Sequence, residues 1–264
     1  MARRNFDPTR LWLGTHLRLV YLFLYLPIAV LMVLSFNRAG LPTVWSGFSL
    51  KWYGVLLDNK AVLNAAANTV TVAVASTLLA TLFGSLLAIG MEYRRRSPAL
   101  EAVLFAPMII PDIVLAIALL SFFTLLDFTL GLHSIILSHV VFNIAFVCVV
   151  VRTRLRQFDW AVFEASVDLG ASEFTTFRRI ILPMIFPGVL AGAMLAFTLS
   201  VDEFIIAFFT AGAGQSSTTL PMQIYSMIRF GVTPEFNAMA TVVMLVSFTL
   251  VLLAQRVNRG AVTG

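Results

Sequence analysis

The stretch AVLNAAANTVTVAVASTLLATLFGSLLAIGM, residues 61–91, decides the fold class, because it contains no charged residue. A predominantly apolar run of roughly 18 residues or more is long enough to cross the hydrocarbon core of a bilayer as an α-helix. Similar runs lie before and after it, and they do not have the short alternating pattern of half-buried β-strands. The sequence therefore predicts an all-α integral membrane protein.

The composition of the whole chain supports this prediction. Of its 264 residues, 59% are apolar and 12% are charged, whereas a soluble domain has about 45–50% and about 25%. The polar intervals between the apolar runs are too short to hold a soluble domain. The longest interval, 152–183, is partly amphipathic. We therefore expect membrane spans and connecting segments only.

Six membrane spans are predicted from the apolar runs. The second ends near Gly90, before Arg94–Arg96, and the other five lie at about 19–36, 102–126, 132–151, 184–209 and 237–255. The first run is not followed by a small-residue cleavage pattern, so we interpret it as an uncleaved anchor. The expected organisation is an N-terminal segment at 1–18, one six-helix domain at 19–255 and a C-terminal tail at 256–264.

Lysine and arginine residues predict the orientation of the chain. With a cytoplasmic N-terminus, the inner segments, including Arg3 and Arg4, hold fourteen of these residues and the outer loops hold four. Short cytoplasmic loops of membrane proteins are enriched in positive charge. The bias predicts that both termini and the 152–183 loop are cytoplasmic. It also explains the net charge of +5 better than a nucleic-acid surface does.

The sequence contains no recognisable catalytic or metal-binding motif. A phosphate-binding P-loop needs a Gly-Lys pair, but neither lysine, Lys51 or Lys60, follows a glycine. Three histidines lack the spacing of metal ligands: His16, His133 and His139. The single cysteine, Cys148, lies inside an apolar run and is expected to be a buried apolar residue. We expect no enzymatic activity, cofactor or metal in this chain.

The inner loop has the pattern of two short helices, FDWAVFEASVDLGASEFTTFRRIILP over 158–183. Asp159 is a suitable N-cap for a helix over 160–169, and Gly170 can end that helix in the left-handed conformation. Ser172 can cap a second helix that continues to Ile181 and that Pro183 closes.

On the first of these helices, Phe163 and Val167 share one face, and Glu164 and Asp168 share the neighbouring face. An amphipathic helix that lies on a membrane surface would present Lys or Arg to the headgroups, and this helix has neither. The pattern favours docking into a protein groove over an interfacial position.

The spacing of this loop resembles the EAA-x3-G-x9-I-x-L-P loop of permease subunits of binding-protein-dependent ABC importers, with Ser166 in place of the second alanine. The resemblance implies a type I importer permease fold in a bacterial inner membrane. It also implies that the helix at 164–170 docks on a separate ATPase subunit, which binds ATP and magnesium. The implied ATPase-coupling residues are Glu164, Ala165, Ser166, Asp168, Gly170, Leu182 and Pro183.

Three carboxylates lie within the predicted spans: Asp112, which follows Pro111, and the adjacent Asp202 and Glu203. Burying a charge in a bilayer costs on the order of 2.5–3.5 kcal/mol, so each acid is a candidate functional residue. None of the six predicted spans contains a lysine or arginine. The counter-charge must come from another subunit, a proton or the cargo, and a cationic solute is the simplest of these.

Straight helices would place these acids at different depths. A rise of about 1.5 Å per residue puts Asp112 near the midplane and the other two in the outer half. Adjacent helical residues point about 100° apart, so Asp202 and Glu203 should not both face one pathway. Two roles stay open for Asp112, a cap for the N–H groups after Pro111 and a contact to cargo.

The second permease subunits of spermidine and putrescine importers resemble this chain in four stretches: 111–117, 199–204, 219–229 and 231–235. The resemblance implies a polyamine pathway that includes Asp112, Asp202, Glu203 and Tyr225. It also implies a second permease chain and a periplasmic binding protein that faces the outer loop at 210–235. Permeases for other amines, aminophosphonates or ferric iron, and a stand-alone secondary cation transporter, remain alternatives.

Overall fold

A computed structural model describes residues 8–40, 44–93, 97–229 and 231–262. These residues form twelve α-helices and one π-helical turn, and no β-strand occurs among them. The predicted all-α fold is confirmed. Arg3, Arg4 and Arg94–Arg96, on which part of the orientation prediction rests, lie outside the described residues.

The helices are numbered in chain order from α1 to α12. Their bounds are α1 Pro8–Leu34, α2 Lys51–Asp58, α3 Lys60–Tyr93, α4 Pro98–Ile109, α5 Asp112–Leu125, α6 Leu132–Leu155, α7 Trp160–Asp168, α8 Glu173–Thr176, α9 Leu182–Asp202, α10 Ile205–Thr210, α11 Leu220–Arg229 and α12 Pro234–Val262. The π-helical turn, Phe177–Ile181, joins α8 to α9.

Four stretches of the described chain are long and apolar enough to cross a membrane. They are Trp12–Leu34, Lys60–Tyr93, Leu132–Leu155 and Glu173–Asp202. A fifth results if the bent pair α4 and α5 is taken as one span. The sixth predicted span, at 237–255, falls within α12 and is not among them, so the number six stays a prediction.

The predicted third span is not one straight helix. The chain bends by 112° between α4 and α5, because Pro111 excludes the residue before it from the helical region. Ile110 is accordingly extended, with φ −71° and ψ 134°. Asp112 is the first residue of the new helix, so the assumption of one straight helix is wrong, and the depth of Asp112 stays a prediction.

The predicted fifth span also contains a break. Helix α9 ends at Asp202, and Glu203 is extended, with φ −68° and ψ 117°. A short helix, α10, follows from Ile205. The expectation that Asp202 and Glu203 do not both face one pathway assumed a continuous helix, and that assumption is wrong.

The second helix of the inner loop does not end at Pro183. Pro183 lies in the first turn of α9, inside a helical stretch that runs from Glu173 to Asp202. The π-helical turn before it shifts the hydrogen-bond register, so that the N–H of Leu182 donates to the carbonyl of Phe177. The chain therefore continues from α8 into α9 without a loop.

The chain divides into two compact units, 61–223 and the combination of 1–60 with 224–264. In the second of these units, α12 packs against α1 and α2. In the first, α6 is central and packs against α4, α9 and α10. Its side chains Val147, Val151 and Leu155 have no exposed surface. A Cβ atom at Gly84 of α3 would lie 2.8 Å from that of Val147, so a glycine is required for this close helix contact.

Candidate coupling and cargo sites

The first helix of the inner loop has the start and end that the sequence predicts. The Asp159 carboxylate accepts a hydrogen bond of 3.0 Å from the N–H of Ala161. Gly170 has φ +85°, and its N–H donates to the carbonyl of Val167 at 2.8 Å. The N–H of Ala171 donates to the carbonyl of Ser166 at 3.1 Å, which completes a Schellman cap. The predicted order of helix, glycine and helix is confirmed.

Ser166 joins the two helices of the loop. Its hydroxyl shares a hydrogen bond of 2.7 Å with that of Thr176 on α8, which is only 1% exposed. The resemblance to the EAA loop puts Ser166 at the position of an alanine and does not predict this contact. Its signal is the pair of hydroxyl residues on opposite sides of a predicted tight turn.

One face of α7 packs against the end of α3 through aromatic rings. Phe163 lies edge-on to Tyr93 at the end of α3, with ring centroids 5.9 Å apart. Trp160 lies 6.2 Å from Tyr93 and 5.2 Å from Phe158. The predicted apolar ridge of Phe163 and Val167 is therefore divided: Phe163 is half-buried and Val167 is exposed.

The opposite face of α7 is exposed and acidic, and exposed apolar side chains lie beside it. Glu164, Ala165 and Asp168 are exposed, while Leu169 after the helix and Phe174 on α8 are 89% and 71% exposed. Large apolar side chains with this exposure next to carboxylates suit a protein partner with an apolar groove and basic residues. Of the remaining predicted coupling residues, Leu182 and Pro183 lie further along, in the first turn of α9.

An ion-pair cluster that the sequence did not predict ties α6 to the helices before it. Arg152 is 5% exposed, and its guanidinium contacts Glu92 of α3 at 2.9 Å and Glu101 of α4 at 2.7 Å. Arg156 lies 3.5 Å from Glu92. The sequence assigned these arginines only to membrane topology, because their partners are about 50 to 60 positions away along the chain.

The two chain breaks bring the three predicted acids together. Asp112 begins α5, and the Glu203 carboxylate accepts a hydrogen bond of 2.7 Å from the N–H of Ile206 at the start of α10. Helices α5 and α10 pack through Leu115 and Ile206. Leu115 is three residues after Asp112 and Ile206 is three residues after Glu203, so this packing brings the starts of both helices, and with them the two acids, to one region of the fold.

The three acids lie at different ends of their helices, so the helix dipoles affect their charges differently. Asp112 is in the first turn of α5, where the positive end of the helix dipole stabilises a carboxylate, and Glu203 is held by the hydrogen bond to Ile206. Asp202 is the last residue of α9, where the dipole disfavours a negative charge. It is exposed in the isolated chain. Among the three acids, Asp202 is therefore the one that lies at the unfavourable end of a helix.

Tyr225, the fourth residue predicted for the cargo pathway, belongs to the other compact unit. It lies on α11 and is 45% exposed.

The first part of the loop at 210–235 is tied to α3. Asn68 donates hydrogen bonds of 2.9 Å to the carbonyls of Ser216 and Thr218. The N–H of Leu220 donates to the hydroxyl of Thr69 at 2.7 Å. These contacts were not predicted, since Asn68 and Thr69 lie in the middle of an apolar run. They hold the loop that leads into α11.

Known proteins with similar sequences are permease proteins of transport systems. Residues 80–262 match the family of binding-protein-dependent transport system inner membrane components. The spermidine/putrescine transport system permease protein PotC of Escherichia coli is 44% identical over 97% of each chain. The putrescine transport system permease protein PotI of the same organism is 39% identical over 88% of this chain and 85% of that protein.

Solved structures with the same fold are known at lower identity. A chain of a bacterial ABC transporter that imports the acidic polysaccharide alginate has a TM-score of 0.72 at 15% identity, over 97% of this chain and 98% of that one. A chain of the methionine ABC transporter MetNI has a TM-score of 0.59 at 19% identity, over 81% of this chain and 99% of that one. The helical arrangement is thus that of ABC importer permeases.

Proposed function

This chain belongs to the family of binding-protein-dependent transport system inner membrane components, and from that premise we propose that it is one permease subunit of an ATP-driven importer for polyamines of the spermidine and putrescine type. The cargo passes along the spans by alternating access. The observation that carries this proposal is the position of Asp112, Asp202 and Glu203 at two helix breaks in apolar segments, which the packing of α5 and α10 brings to one region of the fold.

The chemistry of these acids suits a polyamine. A carboxylate in a membrane domain needs a counter-charge, and a molecule with several ammonium groups can neutralise more than one acid at once. The relatives named for spermidine and putrescine transport support the same cargo. Tyr225 on α11 is a second contact in this proposal, because an ammonium group binds favourably over an aromatic ring.

The energy for import comes from a separate ATPase pair, which binds ATP and magnesium. Glu164, Ala165 and Asp168 form the exposed face that docks on an ATPase subunit, with Leu169 and Phe174 as apolar anchors. The Schellman cap at Gly170 supports this role, since it fixes α7 against α8 and allows a force on α7 to reach the membrane helices. Leu182 and Pro183 transmit that force at the start of α9.

Two further partners complete the importer. A second permease chain pairs with this one and contributes to the pathway. A periplasmic binding protein delivers the polyamine to the outer loop at 210–235. The orientation that fits these contacts has both termini and the 152–183 loop in the cytoplasm, in accord with the excess of positive residues in the inner segments.

Uptake into proteoliposomes tests the proposal. The chain is purified with its second permease and ATPase subunits and reconstituted with ATP inside, and binding protein loaded with radiolabelled spermidine or putrescine is added outside. We expect uptake that requires ATP and both partners. The matched control carries an ATPase subunit that binds ATP without hydrolysing it.

Two results would contradict the proposal. Uptake by the chain alone, driven by a cation gradient, would make it a secondary transporter. ATP-dependent uptake of an aminophosphonate or ferric iron, with neither polyamine transported, would retain the importer but replace its cargo.

A further inference from the structure

A buried polar contact lies next to the acidic break and has no role in the proposed function so far. His139 Nδ1 and Ser200 Oγ are 2.6 Å apart, and Ser200 Oγ shares a second hydrogen bond of 3.0 Å with Ser76 Oγ. The three side chains come from α6, α9 and α3, and none is more than 3% exposed. Polar groups inside a membrane domain are costly, so they are functional candidates by default.

The location of Ser200 indicates what the contact does. Ser200 lies in the last turn of α9, two residues before the helix ends at Asp202. The final carbonyl groups of a helix lack intrahelical partners, so the course of the chain beyond this turn depends on contacts with other helices. Ser200 supplies two such contacts. Because His139 is only 1% exposed, it acts through Ser200 and does not itself touch the cargo.

Helix α6 also holds the other side of the break. Ser134 donates a hydrogen bond of 2.7 Å to the carbonyl of the last residue of α10. Phe142 packs with Ile206, whose N–H binds Glu203. Helix α6 thus contacts both helices that flank Glu203. It contacts α9 through His139, and it contacts α10 through Ser134 and Phe142.

We infer that His139 is a positioning residue of the acidic site: through Ser200 it fixes the end of α9, and it thereby sets the distances among the three carboxylates. This inference rests on the proposed function, because these distances matter for a cargo whose ammonium groups are separated by methylene chains of defined length. Spermidine and putrescine differ in the number and spacing of these groups. His139 therefore contributes to the preference between the two amines.

Two amide variants of His139 test the contact, because one places its polar atoms near the position of Nδ1 and the other near that of Nε2. In His139→Asn, an amide atom lies as far from Cα as Nδ1 does, so a hydrogen bond to Ser200 is retained. In His139→Gln, the amide lies near the position of Nε2 and the contact is lost. Asn143→Leu is the control, because Asn143 is fully buried one turn along α6 and its amide has no hydrogen-bond partner in the described part of the chain.

The first measurement is the ratio of spermidine uptake to putrescine uptake by the complete importer in proteoliposomes. Both rates come from the same preparation, so the amount of folded complex cancels. We expect His139→Gln to change the ratio by about threefold or more, in line with the loss of one hydrogen bond, and the other two variants to keep it. An unchanged ratio in His139→Gln, with both rates lowered equally, would overturn the inference.

The second measurement needs no cargo. Hydrogen exchange of the amides at 203–207 in the purified complex reports how firmly the break is held. We expect about fivefold faster exchange in His139→Gln and wild-type exchange in His139→Asn and Asn143→Leu. Equal exchange in all four proteins would overturn the inference even if the importer transports polyamines. If the wild type transports neither amine, the proposed function fails, and the exchange rates still decide the role of His139.

Discussion

The carboxylate of Glu203 accepts a hydrogen bond from the backbone N–H of Ile206 over 2.7 Å. This acid therefore has a structural task, the start of α10, in addition to its charge. Asp202, one residue earlier, ends α9, where a negative charge is disfavoured. The two neighbouring acids are thus expected to respond differently to the same change.

Glu203→Gln separates the charge of this residue from its capping role. The amide oxygen still accepts from Ile206, so we expect the complex to assemble normally, while polyamine uptake falls because one negative charge is lost. Glu203→Ala loses the cap as well, at a cost of about 1 kcal/mol. Thermal unfolding of the purified complex and uptake are measured for both variants. Equal stability of the two would argue against the capping role.

Asp202→Asn should lower polyamine uptake by about tenfold, which corresponds to about 1.4 kcal/mol of lost interaction with the cargo, and should leave assembly intact. The carboxylate lies at the unfavourable end of a helix dipole, so its removal does not destabilise the fold. Asp127→Asn, in the exposed turn after α5, is the control for the loss of one negative charge. A decrease in assembled complex that matches the decrease in uptake would make Asp202 a structural residue.

Glu164→Lys should uncouple ATP hydrolysis from transport. The side chain is on the exposed face of α7. A positive charge there therefore disturbs the contact with an ATPase subunit and not the fold of the permease. We expect the complex to remain in the membrane and to lose most ATP-dependent uptake. Glu173→Lys, an exposed acid on α8 of the same loop, should have a smaller effect. Unchanged uptake in Glu164→Lys would remove the case for docking at this face.

Ser166→Ala tests the hydrogen bond between the two helices of the inner loop. The change leaves the buried hydroxyl of Thr176 without this partner, which should cost about 1 kcal/mol and lower the unfolding temperature slightly. Uptake should be nearly unchanged, because alanine fits the space. If the hydroxyls act as a pair, Thr176→Val combined with Ser166→Ala should cost less than the sum of the single changes. Additive effects would exclude the pairing.

The elements that local residues determine could be predicted from the sequence. Asp159 and Gly170 mark the ends of α7 through their own cap and turn preferences, and both predictions agree with the structure. The bend before Asp112 also has a local signal, Pro111, but the continuous apolar run hid it. The break at Glu203 has neither a proline nor a glycine, and the apolar pattern does not reveal the capping hydrogen bond that the structure shows there.

Contacts between distant parts of the chain were beyond prediction. Arg152 has the same signature as any arginine at the end of a membrane span, and only the packing of α6 against α3 and α4 brings it to Glu92 and Glu101. His139 was recognised only as a residue without metal-ligand spacing. Its contact with Ser200 joins residues 61 positions apart, and one sequence gives no sign of such a pair.

Arg152→Gln should be the most destabilising of these single changes. Arg152 and Glu92 are nearly buried and Glu101 is one-third exposed, so loss of the guanidinium removes a close ion pair from each of two carboxylates. Breaking a buried ion pair in this way costs about 3–5 kcal/mol, and the exposure of Glu101 places the effect at the lower end. Arg152→Lys keeps the charge but not two separate N–H contacts, so it should lie in between. The unfolding temperatures of the complexes with the wild type, Arg152→Lys and Arg152→Gln should decrease in that order. If Arg152→Gln unfolds at the wild-type temperature, the cluster does not hold α3, α4 and α6 together.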